Sequence, residues 1–362
     1  HLKDHGFTHC LFMDDDASCE IESIRRAYQL HAYSSTPRMA VAGSLLLDVM
    51  PYHLHEKGAK MSLRYSISLH NKTDMRDIGD LLDAEHEKDI AEYGGWWFFA
   101  FKLADVTQWA FPFFVRGDDI GFGLWNQFNI VTNNGIACWG EDFGFKSGPM
   151  TSYLDMRQHL VHAMTHFDVG YSKFRFVVHK AIKGQLYSYN YASAEACYYA
   201  LLDIMKGPSA FLENMDMTPK RAALSSILSE EKMAPINLYD YNLRYRNRAA
   251  SKLLKLITRL TLHGFALPSF FLSNKTIYQE KWFLGSAKDV FMSKSILYYY
   301  EALGYGYIAK HDKKRFFTLL LKLSLAYLKL ACNYRKLKKS YQEAWPKMTN
   351  EAFWRDVYKT PT

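Results

Sequence analysis

Short continuous apolar runs alternate with amphipathic segments in the first part of the chain. Residues Met39 to Leu47 are apolar almost throughout, which predicts a buried strand. Residues Ile21 to Leu30 carry apolar side chains at helical spacing and predict an amphipathic helix. A shorter apolar run from Thr8 to Met13 predicts a strand that ends at three aspartates. Residues 51–92 are polar and weakly periodic, so we expect an excursion with one short strand near Leu63 to Leu69.

The pattern becomes helical in the second part of the chain. Apolar side chains recur at helical spacing from Thr151 to about residue 200. A connector with one short helix is expected over residues 207–243. Two further helices are predicted, over Ala249 to Gly264 and over Lys313 to Lys339, and Gly264 suits the end of the first of them.

Length and composition agree with two domains. A chain of 362 residues, of which 49% are hydrophobic, is long enough to bury a large core. The change of pattern places an α/β domain at residues 1–206 and a mainly helical domain at residues 207–362. The five cysteines are scattered without CxxC spacing, which favours a reducing compartment.

Three consecutive aspartates follow the first predicted strand. Carboxyl ends of strands are where open α/β sheets place their ligands. In an extended segment Asp14 and Asp16 would point the same way, while Asp15 would turn aside. Two convergent carboxylates are hard oxygen ligands that suit Mg²⁺ or Mn²⁺, with substrate phosphates completing the shell. The alternative is an acidic cap on a helix that opens at Ala17, since a helix N-terminus favours negative charge.

A second acidic pair, Asp118 and Asp119, follows another apolar run about a hundred residues later. Either one carboxylate of the pair acts as a base while the other assists it, or both cap the N-terminus of a helix. Shortly before it stand Trp96 and Trp97, adjacent aromatics whose default role is core packing. An indole ring also packs well against the C–H face of a sugar, and its N–H bonds a hydroxyl.

The order of these motifs resembles that of a known family. Met13-Asp14-Asp15-Asp16, Gly95-Trp96-Trp97 and Pro112 to Asp119, followed by Trp139 and Arg157, are similar to family 2 glycosyltransferases of the bacterial galactofuranosyltransferase type. The resemblance covers roughly residues 5–200. It implies a GT-A fold, a nucleotide-sugar donor such as a UDP-sugar, a divalent Mn²⁺ or Mg²⁺ and an inverting single displacement.

The resemblance also assigns roles to individual residues. Asp119 would be the catalytic base that deprotonates the acceptor hydroxyl. Asp14 and Asp16 would bind the metal. The residues expected to bind substrate are Asp15, Trp96, Trp97, Asp118 and Trp139.

The chain departs from the family pattern at two places. Family members carry a metal-binding His directly after the Trp that matches Trp139, whereas this chain has Gly140. The substitutes that spacing leaves open are Glu141, Asp142, His159, His162 and His166. A nucleotide-binding half precedes the Asp-rich motif in the family, so we expect that an N-terminal segment is missing from this chain.

Charge is distributed unevenly along the chain. The net charge is +8, yet the stretch from Arg244 to Lys339 has 20 Lys and Arg against four acidic residues. Basic charge beside apolar helix faces favours an anionic membrane leaflet as partner, with a soluble helix bundle as the alternative. Lys322 and Lys329 interrupt the longest apolar helix, which disfavours a transmembrane span. No recognised nucleic-acid-binding module is present, so we expect no nucleic-acid partner.

Together these features predict a peripheral enzyme at the cytoplasmic face of the inner (plasma) membrane. It would transfer galactofuranose from UDP-galactofuranose to a lipid-linked glycan acceptor of a growing cell-surface polysaccharide. Galactopyranose or rhamnose as the transferred sugar is an open alternative, and so is a catalytically silent, membrane-bound glycan-binding subunit. Assembly into a homo-oligomer is also open.

Overall fold

The structure is a computed structural model that describes residues 2–86, 90–213, 215–228, 230–245, 252–281 and 290–359; at residues 228 and 252–255 it describes the backbone alone. The strands are β1 His9–Phe12, β2 Ser18–Cys19, β3 Met39–Leu47, β4 Met50–Glu56, β5 Ala59–Met61, β6 Ser66–Ser68, β7 Phe99–Lys102, β8 Asn129–Gly140, β9 Ala234–Pro235, β10 Leu243–Arg244, β11 Thr276–Glu280, β12 Ser295–Tyr300 and β13 Tyr305–Lys310. The α-helices are α1 Ser23–Tyr33, α2 Ile78–Glu85, α3 Asp118–Asn126, α4 Phe143–Lys146, α5 Pro149–Met164, α6 Tyr171–Tyr187, α7 Tyr191–Ile204, α8 Ser209–Leu212, α9 Thr218–Leu228, α10 Lys252–Leu260, α11 Lys313–Met348 and α12 Glu351–Lys359.

Contacts divide the chain into two compact units. Unit 1 comprises His1–Asp142, His162–Asp168 and Lys339–Thr362, and unit 2 comprises Phe143–Val161 and Val169–Lys338. The predicted boundary at residue 206 therefore lies inside unit 2, and the end of the predicted C-terminal domain belongs to unit 1.

A mixed sheet forms the centre of unit 1. Its strand order is β1-β7-β3-β8-β2, and β4 also pairs with β3. Strand β3 runs parallel to β8 and antiparallel to β7. All nine residues of β3 are buried, and because alternate side chains of a strand point to opposite faces, both faces of the sheet are covered there. The continuous apolar run predicted this strand, and the prediction is confirmed.

The rest of unit 1 follows the sequence pattern in part. Strand β1 and helix α1 confirm the predicted strand and amphipathic helix. Within residues 51–92, β6 lies where one short strand was expected, but β4, β5 and α2 were missed. The register between β3 and β4 shifts twice, so β4 lacks the regular alternation by which a sequence reveals a strand.

Unit 2 contains helices and a sheet that the sequence did not predict. Its sheet has the order β10-β11-β12-β13-β9, with parallel pairs on one side of β12 and antiparallel pairs on the other. The α/β class is confirmed, but a mainly helical description of residues 207–362 omits this sheet. Strand β12 has the sequence SILYYY, whose aromatic and β-branched residues favour a strand, so the signal was present.

Helix α11 spans 36 residues and confirms the predicted helix while extending nine residues beyond it. One face is a buried seam with spacings of three and four residues: Phe316, Leu319, Leu323, Ala326 and Leu330. By length and composition alone the helix is apolar enough to cross a membrane, with a mean hydropathy of 1.3 over an 18-residue window of which 28% is buried. The predicted helix at residues 249–264 is seen as α10, and residues 246–251 lie outside the described part.

Candidate active site

Asp118 and Asp119 form the first turn of α3, in unit 1. The turn before the helix has three residues in the left-handed region, at Phe114 with φ +70°, Arg116 with φ +62° and Gly117 with φ +97°. Non-glycine residues adopt this region at a cost, and such strain is concentrated at functional sites. Helix α3 begins at the acidic pair, so both carboxyls stand at a helix N-terminus, where the dipole favours negative charge.

Burial opposes ionisation of Asp119 more strongly than the helix favours it. Loss of solvation, together with the neighbouring charges of Asp118 and Glu56, raises the pKa of Asp119 to about 8, against a hydrogen bond from the Ile120 N–H and the charge of Arg116. The Ile120 N–H donates to Oδ1 over 2.8 Å. A carboxyl with a pKa near neutrality is suited to accept and release a proton.

Glu56, at the end of β4, is a buried carboxyl near the half-buried Asp119, and the sequence analysis missed it. Its side chain is 4% exposed, and burial raises its pKa to about 7 despite a 2.6 Å hydrogen bond from the Ser68 hydroxyl. Its Oε1 has no hydrogen-bond partner among the described residues. Because the sequence did not predict β4, nothing placed Glu56 beside the acidic pair.

Several charged or titratable groups lie near Asp119 and Glu56. Burial lowers the pKa of His55, with the charge of Asp142 opposing this shift and that of Arg116 adding to it. Arg116 also lowers the pKa of Asp119. The structure therefore brings together residues from β4, from the turn before α3 and from the chain after β8. Asp142 was one of the expected substitutes for the missing His, and it is buried.

The two adjacent tryptophans occupy different environments. They lie in a turn before β7 instead of on a strand. Trp97 is 9% exposed and its indole N–H donates to the Gly43 carbonyl over 3.2 Å, so it belongs to the core. Trp96 packs on Phe12 with ring centroids 4.3 Å apart, and its Nε1 has no hydrogen-bond partner among the described residues. Trp96 and Asp118 both line a cavity of about 820 Å³.

The three aspartates are exposed between β1 and β2. Asp15 and Asp16 occupy a turn, so the alternation of an extended segment does not apply to them. The helix-cap alternative is wrong, because β2 intervenes and α1 begins only at Ser23. Strand β2 pairs with β8 so that Ser18 faces Trp139, which places the aspartates near the carboxyl end of β8. The charge of Asp14 adds to the burial that raises the pKa of Cys138 above its usual range.

Trp139 packs against the cluster of Leu46, Leu54 and Ala137, and its indole N–H donates to the Pro51 carbonyl over 2.9 Å. The indole nitrogen of Trp139 is therefore already hydrogen-bonded within the protein. Trp139 remains beside the aspartate turn through the pairing of β8 with β2.

Within the described ranges, no three His, Cys, Asp or Glu side chains are grouped to hold a metal ion. His162 and His166 lie in aromatic surroundings, His162 with ring centroids 5.6 Å from Trp345 and His166 6.2 Å from Trp125. His159 belongs to unit 2. Two exposed carboxylates without an enclosing set of ligands fit Mg²⁺ or Mn²⁺ that takes its other positions from phosphates and water.

The end of α11 and helix α12 support the segment that leads to the acidic pair. Trp345 stacks on Phe111 with ring centroids 4.9 Å apart. The Trp109 N–H donates to the Thr349 carbonyl over 2.6 Å, and the Trp354 indole N–H donates to the Ala110 carbonyl over 3.0 Å. A Cβ at position 121 of α3 would lie 3.1 Å from the Trp345 ring, so a larger side chain there would push against this ring. No local sequence signal links these distant residues.

Comparisons of the sequence with known proteins indicate a class of enzyme. No family model matches the sequence. Galactofuranosyltransferase GlfT2 of Mycobacterium tuberculosis is 22% identical over 391 aligned residues, which cover 98% of this chain and 60% of that protein. GlfT2 of Mycolicibacterium smegmatis is 24% identical over 394 residues, which cover 100% of this chain and 60% of that protein. The similarity supports a glycosyltransferase. The chain spans 60% of the length of these curated relatives.

Arg157, the last residue of the motif order, lies in surroundings that do not suit a contact with substrate. It lies in unit 2 and is buried, with its guanidinium over the ring of Tyr153 at 5.7 Å and over that of Phe211 at 5.1 Å. Packing on two aromatic rings is a structural role.

Proposed function

We propose that this chain is the catalytic part of an inverting, metal-dependent glycosyltransferase of the GT-A type. It would move galactofuranose from UDP-galactofuranose onto a glycan acceptor of a growing cell-surface polysaccharide. Similarity to two galactofuranosyltransferases over 98% and 100% of the chain is the observation that carries this proposal. The exposed aspartate turn and the carboxyls near α3 support it.

In this proposal Asp119 is the general base. An inverting displacement needs a group that takes the proton of the acceptor hydroxyl as its oxygen attacks the anomeric carbon from the face opposite the leaving nucleotide. The raised pKa of Asp119, about 8, makes its carboxylate a stronger base than an exposed aspartate. The nearby Arg116 keeps part of it ionised at neutral pH, because its charge lowers that pKa.

Trp96 and Asp118 would position the acceptor sugar. Both line the same cavity, beside the base. The indole N–H of Trp96, which has no partner in the described part of the chain, would donate to a sugar hydroxyl. The Trp96 ring would pack on the C–H face of the sugar, and Asp118 would accept from hydroxyls. Trp97 is buried and bonded to β3, so its part is to support the loop that carries Trp96.

Asp14 and Asp16 would hold Mn²⁺ or Mg²⁺ together with the donor, and Asp15 would contact substrate in the same turn. The metal would neutralise the negative charge of the departing diphosphate. The aspartates are exposed in a turn and so are accessible to a donor. Trp139 would close this side of the site from β8.

We further propose peripheral attachment to the cytoplasmic face of the inner membrane, where a lipid-linked acceptor would be found. The outer face of α11 exposes four large apolar side chains with exposures between 42% and 68%: Phe317, Leu321, Leu325 and Leu328. Their spacing of three and four residues places them on one face of the helix. An apolar face within a strongly basic stretch is the pattern of an interfacial helix.

The test of the proposed reaction is transfer from three donors, UDP-galactofuranose, UDP-galactopyranose and dTDP-rhamnose, to octyl β-galactofuranoside with Mn²⁺. We expect product from UDP-galactofuranose alone, with NMR showing inverted configuration at the anomeric carbon. Product from another donor would correct the sugar, and a retained configuration would exclude the single displacement. Binding of the acceptor without transfer from any donor would favour a silent glycan-binding subunit.

A further inference from the structure

The cavity beside Asp118 extends well beyond the room that one sugar needs. It has a volume of about 820 Å³ and lies in unit 1 among β1, the segment from Leu103 to Phe114, and α12. This is within the range of pockets that bury a drug-sized ligand. Its interior is lined mainly by apolar and aromatic side chains, among them Phe12, Leu103, Trp109, Phe111, Phe114 and Trp354.

The polar residues of the lining form two groups. Asp118 and the indole N–H of Trp96 form the first, which we call the inner end. The second consists of charged residues that pair with one another: Arg355 with Asp4 at 2.9 Å and with Glu351 at 2.8 Å, and Lys3 with Glu351 at 3.8 Å. The Lys3 ammonium also lies 5.4 Å over the ring of Trp109. The indole N–H of Trp354 is already bonded to the Ala110 carbonyl.

This distribution selects an apolar occupant. Each additional sugar would bring several hydroxyls into the walls, and a buried hydroxyl without a partner costs free energy. An alkyl or isoprenoid chain would instead remove apolar surface from water without leaving polar groups unpaired. The cavity therefore suits one sugar at the polar inner end, followed directly by hydrocarbon.

We propose that this cavity binds the apolar group of the acceptor, and that the chain glycosylates a sugar attached directly, or almost directly, to that group. The inference rests on the proposed glycosyltransferase function and names its acceptor: an early lipid-linked intermediate instead of a long glycan. A reaction that attaches the first sugar to the lipid must precede this one, and elongation of the glycan must follow it.

Chain length provides the first test. With methyl, butyl and octyl galactofuranosides below their critical micelle concentrations, kcat/KM should rise about three- to fourfold for each methylene until the cavity is filled, mainly through KM. Two further sugars placed between the reacting sugar and the octyl chain should remove this gain. No dependence on alkyl length, or a kcat/KM that rises with the number of sugars, would overturn the proposal.

A variant that fills the cavity provides the second test. Ala110→Phe adds a ring to the wall, so the octyl and methyl acceptors should become nearly equal in kcat/KM. Ala352→Phe is the matched control, because Ala352 is exposed on α12 and does not line the cavity. If both variants keep the full octyl preference, the hydrocarbon lies elsewhere and the proposal fails.

Binding without catalysis separates this proposal from the proposed reaction. An 8-bromooctyl glycoside should quench tryptophan fluorescence, because Trp96, Trp109 and Trp354 line the cavity. Quenching should saturate in the wild type and in Ala352→Phe but weaken at least about tenfold in affinity in Ala110→Phe. Quenching with this pattern in a protein that transfers no sugar would support the cavity while overturning the reaction. Transfer without quenching would overturn the cavity assignment alone.

Discussion

Two carboxyls, the half-buried Asp119 and the buried Glu56, dominate the site at the scale of single residues. Each is raised in pKa mainly by burial, to about 8 and about 7, and the charge of Glu56 contributes to the shift of Asp119. Two such groups close together resist simultaneous ionisation. A raised pKa means that a carboxylate binds a proton tightly. In the proposed reaction this site would therefore readily accept the proton of the acceptor hydroxyl.

The pH dependence of transfer should report the ionisation of Asp119. Since the base acts when deprotonated and its pKa is about 8, kcat/KM should rise about tenfold per pH unit on the acid side and level off near pH 8. Asp118→Asn should move this limb to lower pH, because the charge of Asp118 raises that pKa. Asp119→Asn should lower kcat by roughly 10²- to 10⁴-fold.

The control for these profiles is Asp240→Asn, an exposed aspartate of unit 2. It should leave both the limb and the rate unchanged. An Asp119→Asn variant with near-normal kcat, together with a severe loss in Asp118→Asn, would assign the base to Asp118.

Glu56 should make the folded protein less stable as the pH rises. The pKa of Glu56 in the folded state, about 7, lies above its ordinary value of 4.5, so between these values the folded state holds a proton that the unfolded state has released. Stability is therefore full below about pH 4.5 and falls as the pH approaches 7, by about 2–3 kcal/mol. Glu56→Gln lacks this loss and should raise the melting temperature at pH 8 but hardly at pH 4.

Melting curves of the exposed Glu343→Gln variant are the comparison, and they should follow the wild type at both pH values. Equal destabilisation of Glu56→Gln at pH 4 and pH 8 would contradict this prediction. It would show that the hydrogen bonds of Glu56 stabilise the fold and that its charge does not lower stability at high pH.

At the scale of secondary-structure elements, the ends of β1, β4 and β8 decide which residues meet. Strand β1 delivers the aspartate turn, β4 delivers Glu56, and β8 ends at Gly140 next to β3. Helix α3 then presents the acidic pair from a strained turn. Position 140 is a glycine, whereas the family that the sequence resembles carries a metal-binding His at this position.

Gly140→His should strengthen metal binding. A Cβ at this position would lie 3.4 Å from Leu45 Cδ1, which is a tolerable contact, so the backbone has room for a side chain. An imidazole beside Asp14 and Asp16 would add a third protein ligand, and the apparent Mn²⁺ dissociation constant should fall by at least about tenfold. Electron paramagnetic resonance of free Mn²⁺ would measure this directly.

Gly140→Ala separates the new ligand from the effect of any side chain at this position, and it should bind Mn²⁺ like the wild type. If Gly140→His and Gly140→Ala bind Mn²⁺ equally, the end of β8 does not adjoin the metal site and the roles of Asp14 and Asp16 need revision.

At the scale of the whole molecule, charge and exposed apolar surface are concentrated in one part of the chain. The basic stretch from Arg244 to Lys339 belongs to unit 2 except for Lys339 itself, and the exposed apolar face of α11 also belongs to unit 2. Helix α10 adds Leu256 and Leu260, which are 53% and 72% exposed. Electrostatic attraction and apolar burial together would give reversible binding to an anionic surface.

The protein should therefore pellet with anionic vesicles at low salt and poorly with neutral ones, and high salt should release much of it. Leu321→Ser with Leu325→Ser should weaken this binding. The matched control is Ile78→Ser with Leu82→Ser, an exposed pair of the same spacing on α2 of unit 1. Reversing the charges of Lys252, Lys255 and Arg259 should also weaken it. Equal pelleting by all variants with both kinds of vesicle would leave α11 an ordinary surface helix.

The sequence by itself determined the parts of this protein that depend on local pattern. The order of short motifs singled out Asp118, Asp119 and the three aspartates, whose roles stay predictions. The apolar run at Met39 to Leu47 predicted β3, and helical spacing predicted α1 and α11. These succeed because the periodicity of a buried strand or helix is written in consecutive residues. The sheet of unit 2 was missed although β12 carries a strand signal.

Tertiary structure alone decided which of the named residues can act together. Only the folded chain buries Trp97 and leaves Trp96 in the cavity, places Glu56 near Asp119, and sets Trp345 and Trp354 against the segment before α3. These contacts join residues from about 60 to more than 240 positions apart. The pKa of a carboxyl and the walls of a cavity are sums over such neighbours, so no local pattern in the sequence specifies them.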